Sequence, residues 1–261
     1  MHVEQNWASV KRHYQRLNTE DLYGIAVVLF SNEEAWIEDR LTRREDEALA
    51  MEILGFLGHH GSQAAVKVLL KYLTAHEEIY QLAASEALKQ CKLNFMVDPL
   101  IEIMQKQGQN AIKAGEVLLS FGGEGIDILW RLWFMPESPT SLKVQILHLI
   151  TEAADKRAER IAFLALVSGE EELVQAAVRS AEKLKLTSLW GSMISYITDS
   201  SWKLRGSVIR LLGQWEAVEA LPFLLVIENE ADPWVEEERR KAIARLIEIK
   251  QDANREIDRK N

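Results

Sequence analysis

The chain has 261 residues, 48% of them hydrophobic, with 31 Lys and Arg against 40 Asp and Glu, a formal net charge of −9 and one cysteine. Only 13 Gly and 5 Pro leave little room for a loop-rich β fold, and the lone Cys91 excludes an internal disulfide framework or a cysteine-rich metal site. The acidic balance argues against the phosphate-neutralising surface that nucleic acids require.

In chain order, Trp7 to Leu17 reads as an amphipathic helix, Leu22 to Phe30 as an apolar one and Glu33 to Leu41 as another amphipathic segment. From there the pattern becomes regular. Tyr80 to Cys91 is followed by Asp98 to Gln105, Ala111 to Phe121 by Ile126 to Met135, Leu142 to Ala153 by Ala158 to Val167, and Leu173 to Leu184 by Leu189 to Ile197. In the next pair Leu204, Val208, Leu211 and Trp215 form one helical stripe, and Leu221 to Ile227 continues after a short break. The breaks carry Gly, Asp, Ser, Asn and Pro, which cap helices or leave them. Asp98 before Pro99 reads as a helix start, the Asp accepting orphan amides and the Pro losing no hydrogen bond. Residues 236–261 are rich in both charges at helical spacing, with Ile243, Leu246, Ile247 and Ile257 as the apolar stripe expected of a solvent-facing cap.

These pairs recur on one ruler of about 31 residues. The glycines of Leu54-Gly55, Phe121-Gly122 and Leu212-Gly213 lie 67 and 91 apart, Val144-Gln145 and Val174-Gln175 repeat at 30, and Asp199 and Asp232 repeat at 33. Such self-similarity marks stacked units that cannot bury their apolar faces without neighbours. No Pro/Gly/Ser-rich linker divides the chain, so three parts of one continuous body are expected. They are an N-terminal helical cap or degenerate repeat over 1–45, a repeat array over 46–235 and a capping helix over 236–261.

The order of a Pro-containing helix, an Asp in the turn, and an aliphatic plus basic or amide residue opening the second helix resembles the HEAT repeat. The likeness is to the short type first associated with phycobilisome lyases. Asp199 to Arg205 carries the best match, with Leu204-Arg205 as the aliphatic-Arg pair. Tyr80-Gln81, Ile112-Lys113, Val144-Gln145 and Val174-Gln175 stand at the corresponding positions, which turns the family's Asp/Arg ladder largely into an amide ladder. The resemblance covers roughly 45–250 and implies an all-α right-handed superhelix of about six stacked antiparallel helix pairs.

Chemistry-bearing motifs are sparse. Gly122-Gly123-Glu124-Gly125 lacks the Lys and the strand of a phosphate loop, adjacent His59 and His60 cannot share a metal from one helix, and Glu77-Glu78 and Glu170-Glu171-Glu172 open helices where the macrodipole favours them. No cofactor, metal or catalytic residue is expected. Trp202 and Trp234 occupy matching turn-proximal positions and are expected to plug the joint between units. Trp130, Trp133 and Phe134 cannot all point one way; the core is the leading reading for the cluster, with an exposed ring as the alternative.

The resemblance implies a concave surface lined by the second helix of each unit. Helical spacing then presents Lys113, Glu116, His148, Glu152, Arg179, Lys203, Arg210 and Gln214 as candidate partner-binding residues, with His148, Arg179 and Arg210 spaced 31 and 31 as a basic stripe. Gln81, Gln145, Gln175 and Arg205 read instead as ties between units. The expected role is a non-catalytic scaffold or adaptor for a protein or peptide. A nucleic-acid binder and a bilin-lyase-like enzyme are the alternatives. The polar opening at Met1 and apolar runs well short of about 20 residues point to a cytoplasmic protein. Lys11, Arg12, His13 and Arg16 offer a minor route to an acidic membrane surface.

Overall fold

The computed structural model describes residues 47–260 apart from Lys92, Gln107 and Asn229, and excludes the side chains of 47–50, His60, Gln109 and 256–260. The cap expected over 1–45, including Trp7 and the basic Lys11–Arg16 segment, lies outside the described residues. Among the described residues the protein has thirteen α-helices, four 3-10 turns and no strand. None of these helices is long and apolar enough to cross a membrane. The chain forms two compact units, Met1–Leu149 and Ile150–Asn261.

In the first unit, α1 (Glu47–His60), α2 (Gln63–Leu73), α3 (Glu78–Cys91), α4 (Val97–Gln105), α5 (Gln109–Leu119) and α6 (Gly123–Trp133) precede α7 (Thr140–Glu152), which carries the boundary. Helix α1 packs along α3 and α3 along α5, while α2 packs against α1 and α3, and α4 and α6 against α5. The stripes that drive this are ordinary aliphatic ones. Ile53, Leu54, Leu57, Leu69, Leu73, Leu88, Leu100, Met104 and Leu118 are fully buried, each stabilising the fold by about 1.5–3 kcal/mol relative to exposure. Ser62 starts α2 by accepting the amide of Ala65 at 3.2 Å. Asp98 does not start α4 in the expected way. A 3-10 turn over Asn94–Met96 leads into the helix, which begins at Val97. Asp98 and Pro99 thus fall inside the first turn, where a missing proline N–H still costs nothing.

In the second unit, α8 (Arg157–Ser168) packs against α9 (Glu171–Leu184), α9 against α11 (Trp202–Gln214), and α11 against the long α13 (Pro233–Lys260). Between them, α10 (Trp190–Met193) and α12 (Leu221–Leu225) are short. The helix expected over Leu189 to Ile197 is broken into 3-10 turns at Thr187–Leu189 and Ile194–Thr198 with α10 between them. Gly191, Ser192 and Ser195 compete with or weaken regular helix there, and the Tyr196 hydroxyl leaves to donate to the carbonyl of Leu166. The run to Ile227 also stops early. Helix α12 ends at Leu225, and Val226 stands 74% exposed.

A regular register recurs at helix ends. Ala154, Lys185 and Glu216, each 31 residues after the last, adopt positive φ of 50°, 53° and 58° just past α7, α9 and α11. The amide of the following residue then returns to a carbonyl five back: Asp155 to Ile150, Leu186 to Ala181 and Ala217 to Leu212, the Schellman way of satisfying orphan carbonyls. Gly61 and Gly122 also take positive φ, 63° and 68°, after α1 and α5, although Gly122 with ψ −132° lies outside the left-handed helical well. Close helix approaches repeat too. A Cβ on Gly58 would lie 2.5 Å from the Ala87 carbonyl oxygen, and one on Gly213 would lie 2.8 Å from the Ala242 Cβ, so both helices meet an alanine 29 residues ahead.

Helix α13 begins with Asp232 accepting the amides of Trp234 and Val235 at 3.0 and 3.1 Å, with Pro233 at the first helical position. Of the expected stripe Leu246 is buried, together with Val235 and Ala242, while the side chain of Ile257 lies outside the described residues. Ile243 is half-buried and Ile247 is exposed.

Candidate functional site

Three features carry polar chemistry. They are the polar faces of α3, α5, α7, α9 and α11, a cleft between α11 and α13, and the turn edge where α11 and α13 begin.

On the polar faces, charged residues of one helix reach the next. In the first unit, Lys89 of α3 holds Glu116 of α5 at 3.1 Å and Glu86 at 2.6 Å. Burial opposes the charge on Lys89, but the two carboxylates outweigh it and raise its pKa above the ordinary lysine value. Lys113 lies 3.9 Å from Glu78. His148 is exposed on α7. In the second unit, Glu152 pairs with Lys183, Glu182 with Arg210 at 2.8 Å, and Glu216 with Arg245 at 2.8 Å. Arg210 also donates to Gln214 at 3.4 Å. Arg179 is exposed and makes no ion pair among the described residues. Glu116 and Glu152 were read from sequence as polar positions but their pairing was not, because periodicity describes one helix and not what its neighbour places alongside.

The four residues expected to act as ties, Gln81, Gln145, Gln175 and Arg205, bond unevenly. Gln81 donates to the carbonyl of Ala75, six residues upstream, at 2.6 Å, and Arg205 makes the same reach to Asp199 at 2.7 Å. Arg205 then extends further, placing its Nε and Nη2 on the two oxygens of Glu230 at 3.0 and 2.6 Å. The side chains are 15% and 6% exposed, which makes this a bidentate, largely buried pair. Glu230 also accepts the Asp232 amide at 2.9 Å. Arg205 pulls the carboxyl pKa of Glu230 below its ordinary value, against the upward push of burial. The amide positions do not repeat this bridge. Gln175 bonds Glu171 within its own helix at 3.0 Å, and the Oε1 atoms of Gln81 and Gln145 are buried without a hydrogen bond among the described residues. An amide is too short and carries too few donors to clamp its own turn and a second one together. A separate buried tie joins α7 and α9, where Thr151 donates its hydroxyl to Ser180 at 2.9 Å.

The cleft, of about 190 Å³, is lined by Arg210, Gly213, Gln214, Glu238, Lys241, Ala242 and Arg245. The close Gly213–Ala242 approach forms its apolar floor. Its three cations are already matched, Arg210 by Glu182, Lys241 by Glu237 and Glu238, and Arg245 by Glu216. The candidate residues Arg210 and Gln214 meet here, while Lys203 belongs to the turn edge.

At that edge Trp202 and Trp234 meet edge to face, ring centroids 5.8 Å apart and planes at 81°. They meet where α11 and α13 begin, yet stay 45% and 39% exposed instead of being plugged between helices. Lys203 Nζ sits 5.5 Å from the Trp202 ring centroid. Of the other aromatic cluster, Trp133 is buried and Phe134 is exposed, its ring 5.0 Å from that of Trp130. Among the described residues no three His, Cys, Asp or Glu side chains gather as metal ligands.

No protein-family model and no curated protein matches the chain. Among solved structures it is similar to one described as the crystal structure of an engineered protein, at 16% identity over 82% of this chain and 96% of that one, with a TM-score of 0.25.

Proposed function

We propose that the chain is a non-catalytic binding protein built as a HEAT-like solenoid, presenting the polar faces of its stacked helices to a protein or peptide partner. The carrying observation is the 31-residue recurrence of left-handed helix ends at Ala154, Lys185 and Glu216, which is how a stack of like units would close its helices. The ion pairs that join neighbouring helices on those faces add to it. They hold long side chains in fixed positions, so a partner meets an ordered charged surface and loses less entropy on binding. Within that surface Arg179 is uncommitted and is the residue on which the reading places an acidic group of the partner.

The test is affinity capture from a cell extract with wild type beside Arg179→Glu, with Lys250→Glu as a charge change on exposed α13. The expected result is a partner lost with the first variant and kept with the second. A partner set indifferent to Arg179, or scattering from a compact sphere instead of an elongated particle, overturns the proposal.

A further inference from the structure

We propose that the Trp202–Trp234 edge is a docking site for a basic peptide, an arginine or lysine side chain of which stacks on the exposed indoles. The proposal deepens the binding role and rests on it, naming the partner's chemistry at a second surface.

A ring that only fills a joint is covered by it, as Trp133 is. Trp202 and Trp234 instead remain nearly half exposed while being held in place. Trp234 is seated directly on the backbone of α11, where a Cβ on Gly206 would come within 2.0–2.6 Å of three of its ring atoms. Glycine is therefore required at 206 for the ring to sit there, and the ring cannot sink further. Rigid, partly exposed tryptophans of this kind are preferred anchors, because little motion remains to be lost on binding.

The electrostatics select a cation. Indole faces carry negative potential, and each ring follows an aspartate. Asp199 uses Oδ1 to accept the Ser201 amide, and Asp232 uses Oδ1 for the amides of Trp234 and Val235. Their Oδ2 atoms have no hydrogen bond among the described residues, and Glu228 is exposed in the same turn. Arg205 offsets this charge only in part, because one guanidinium faces Glu230, Asp232 and Asp199 together and is paired with Glu230. Further along α13, Glu236 is held by Arg239 and Arg240, and Glu237 by Lys241. One cation already rests on the site, since Lys203 Nζ lies over Trp202. It marks the ring face as an ammonium position and competes with an incoming one. The formal charge of −9 steers a basic partner toward the protein at longer range.

The test is fluorescence anisotropy of labelled Gly/Ser peptides carrying arginines, glutamates or prolines, titrated with the full chain at low ionic strength. The arginine peptide is expected to bind about tenfold tighter than either counterpart and to lose about tenfold with Trp202→Leu. Lys203→Gln, which removes the internal competitor, is expected to tighten it severalfold. Preference for the glutamate or proline peptide, an unchanged affinity in a folded Trp202→Leu protein, or weaker binding by Lys203→Gln overturns the proposal. Lys203 is exposed, so its variant keeps the test decisive if Trp202→Leu does not fold. No peptide binding alongside partner capture through Arg179 overturns this site alone. Failure of both overturns the binding role as well.

Discussion

Replacing Arg205 with Met removes a guanidinium that makes four hydrogen bonds, two to Glu230 and one each to the carbonyls of Asp199 and Ser200. Methionine keeps the aliphatic stem, so packing is largely retained. What remains is Glu230, 6% exposed, with a single amide donor from Asp232. Stranding one member of a buried ion pair costs about 3–5 kcal/mol, and the residual exposure of Arg205 places this case near about 3 kcal/mol. Glu230→Gln leaves the arginine its two carbonyls and partial access to water, and loses about 1.5–3 kcal/mol, the value of hydrogen bonds to charged groups. The double variant buries neither charge, so it should cost less than the sum of the singles, with a coupling of about 1–2 kcal/mol. Urea unfolding followed by far-ultraviolet circular dichroism gives the midpoints, and an unchanged slope keeps the comparison valid. A loss below about 1 kcal/mol for Arg205→Met, or additive single effects, would show that the pair is solvated and not a tie.

The same pair sets an acid dependence. The folded pKa of Glu230 is depressed by Arg205, so its stabilisation is fully present above the unfolded carboxyl value and is lost as pH falls through the folded one. Wild type should therefore lose stability on acidification more steeply than Glu230→Gln, and parallel curves refute the assignment. Gly213→Ala places a Cβ 2.8 Å from the Ala242 Cβ; its overpacking cost of about 1–3 kcal/mol should exceed the helix-propensity gain of about 1 kcal/mol. Gly191→Ala, with open space around it, should be neutral or stabilising in the same melts. Ala154→Gly relieves a left-handed alanine at φ 50° and should raise stability by up to about 1 kcal/mol, measured as the shift in urea midpoint.

How far the fold could be read from sequence depended on whether a feature was local to one helix. Apolar stripes such as Leu204, Val208 and Leu211 were legible because burial follows the 3.6-residue period, and all three are buried. The helix ends at Cys91, Gln105 and Leu184 were legible from where the apolar pattern stops, but a positive-φ exit was legible only where glycine announced it, as at Gly61 and Gly122. Ala154, Lys185 and Glu216 perform the same turn with side chains that ordinarily avoid it. The landmark Gly55 proved to be an interior helix residue, while Gly58, three positions later, is the structural counterpart of Gly213. What distinguishes that pair is the alanine facing each glycine from another helix, which the spacing of a single helix does not reveal.

The candidate surface divides along the same line. The polar positions Lys113, Glu116, Glu152 and Arg210 were found by spacing, but each faces an opposite charge from a neighbouring helix. A partner that binds there must compete with pairs already made. Exposed pairs contribute only about 0–1 kcal/mol, so this competition is a modest barrier. It does mean that charge reversal at a paired residue disturbs both the packing of neighbouring helices and the surface, whereas Arg179 and Lys203 can be altered without breaking an ion pair among the described residues. Variants at these two positions therefore report on recognition with the least interference from stability. Glu230, in contrast, sits in a turn with no helical pattern to announce it. It became visible only through the arginine it holds.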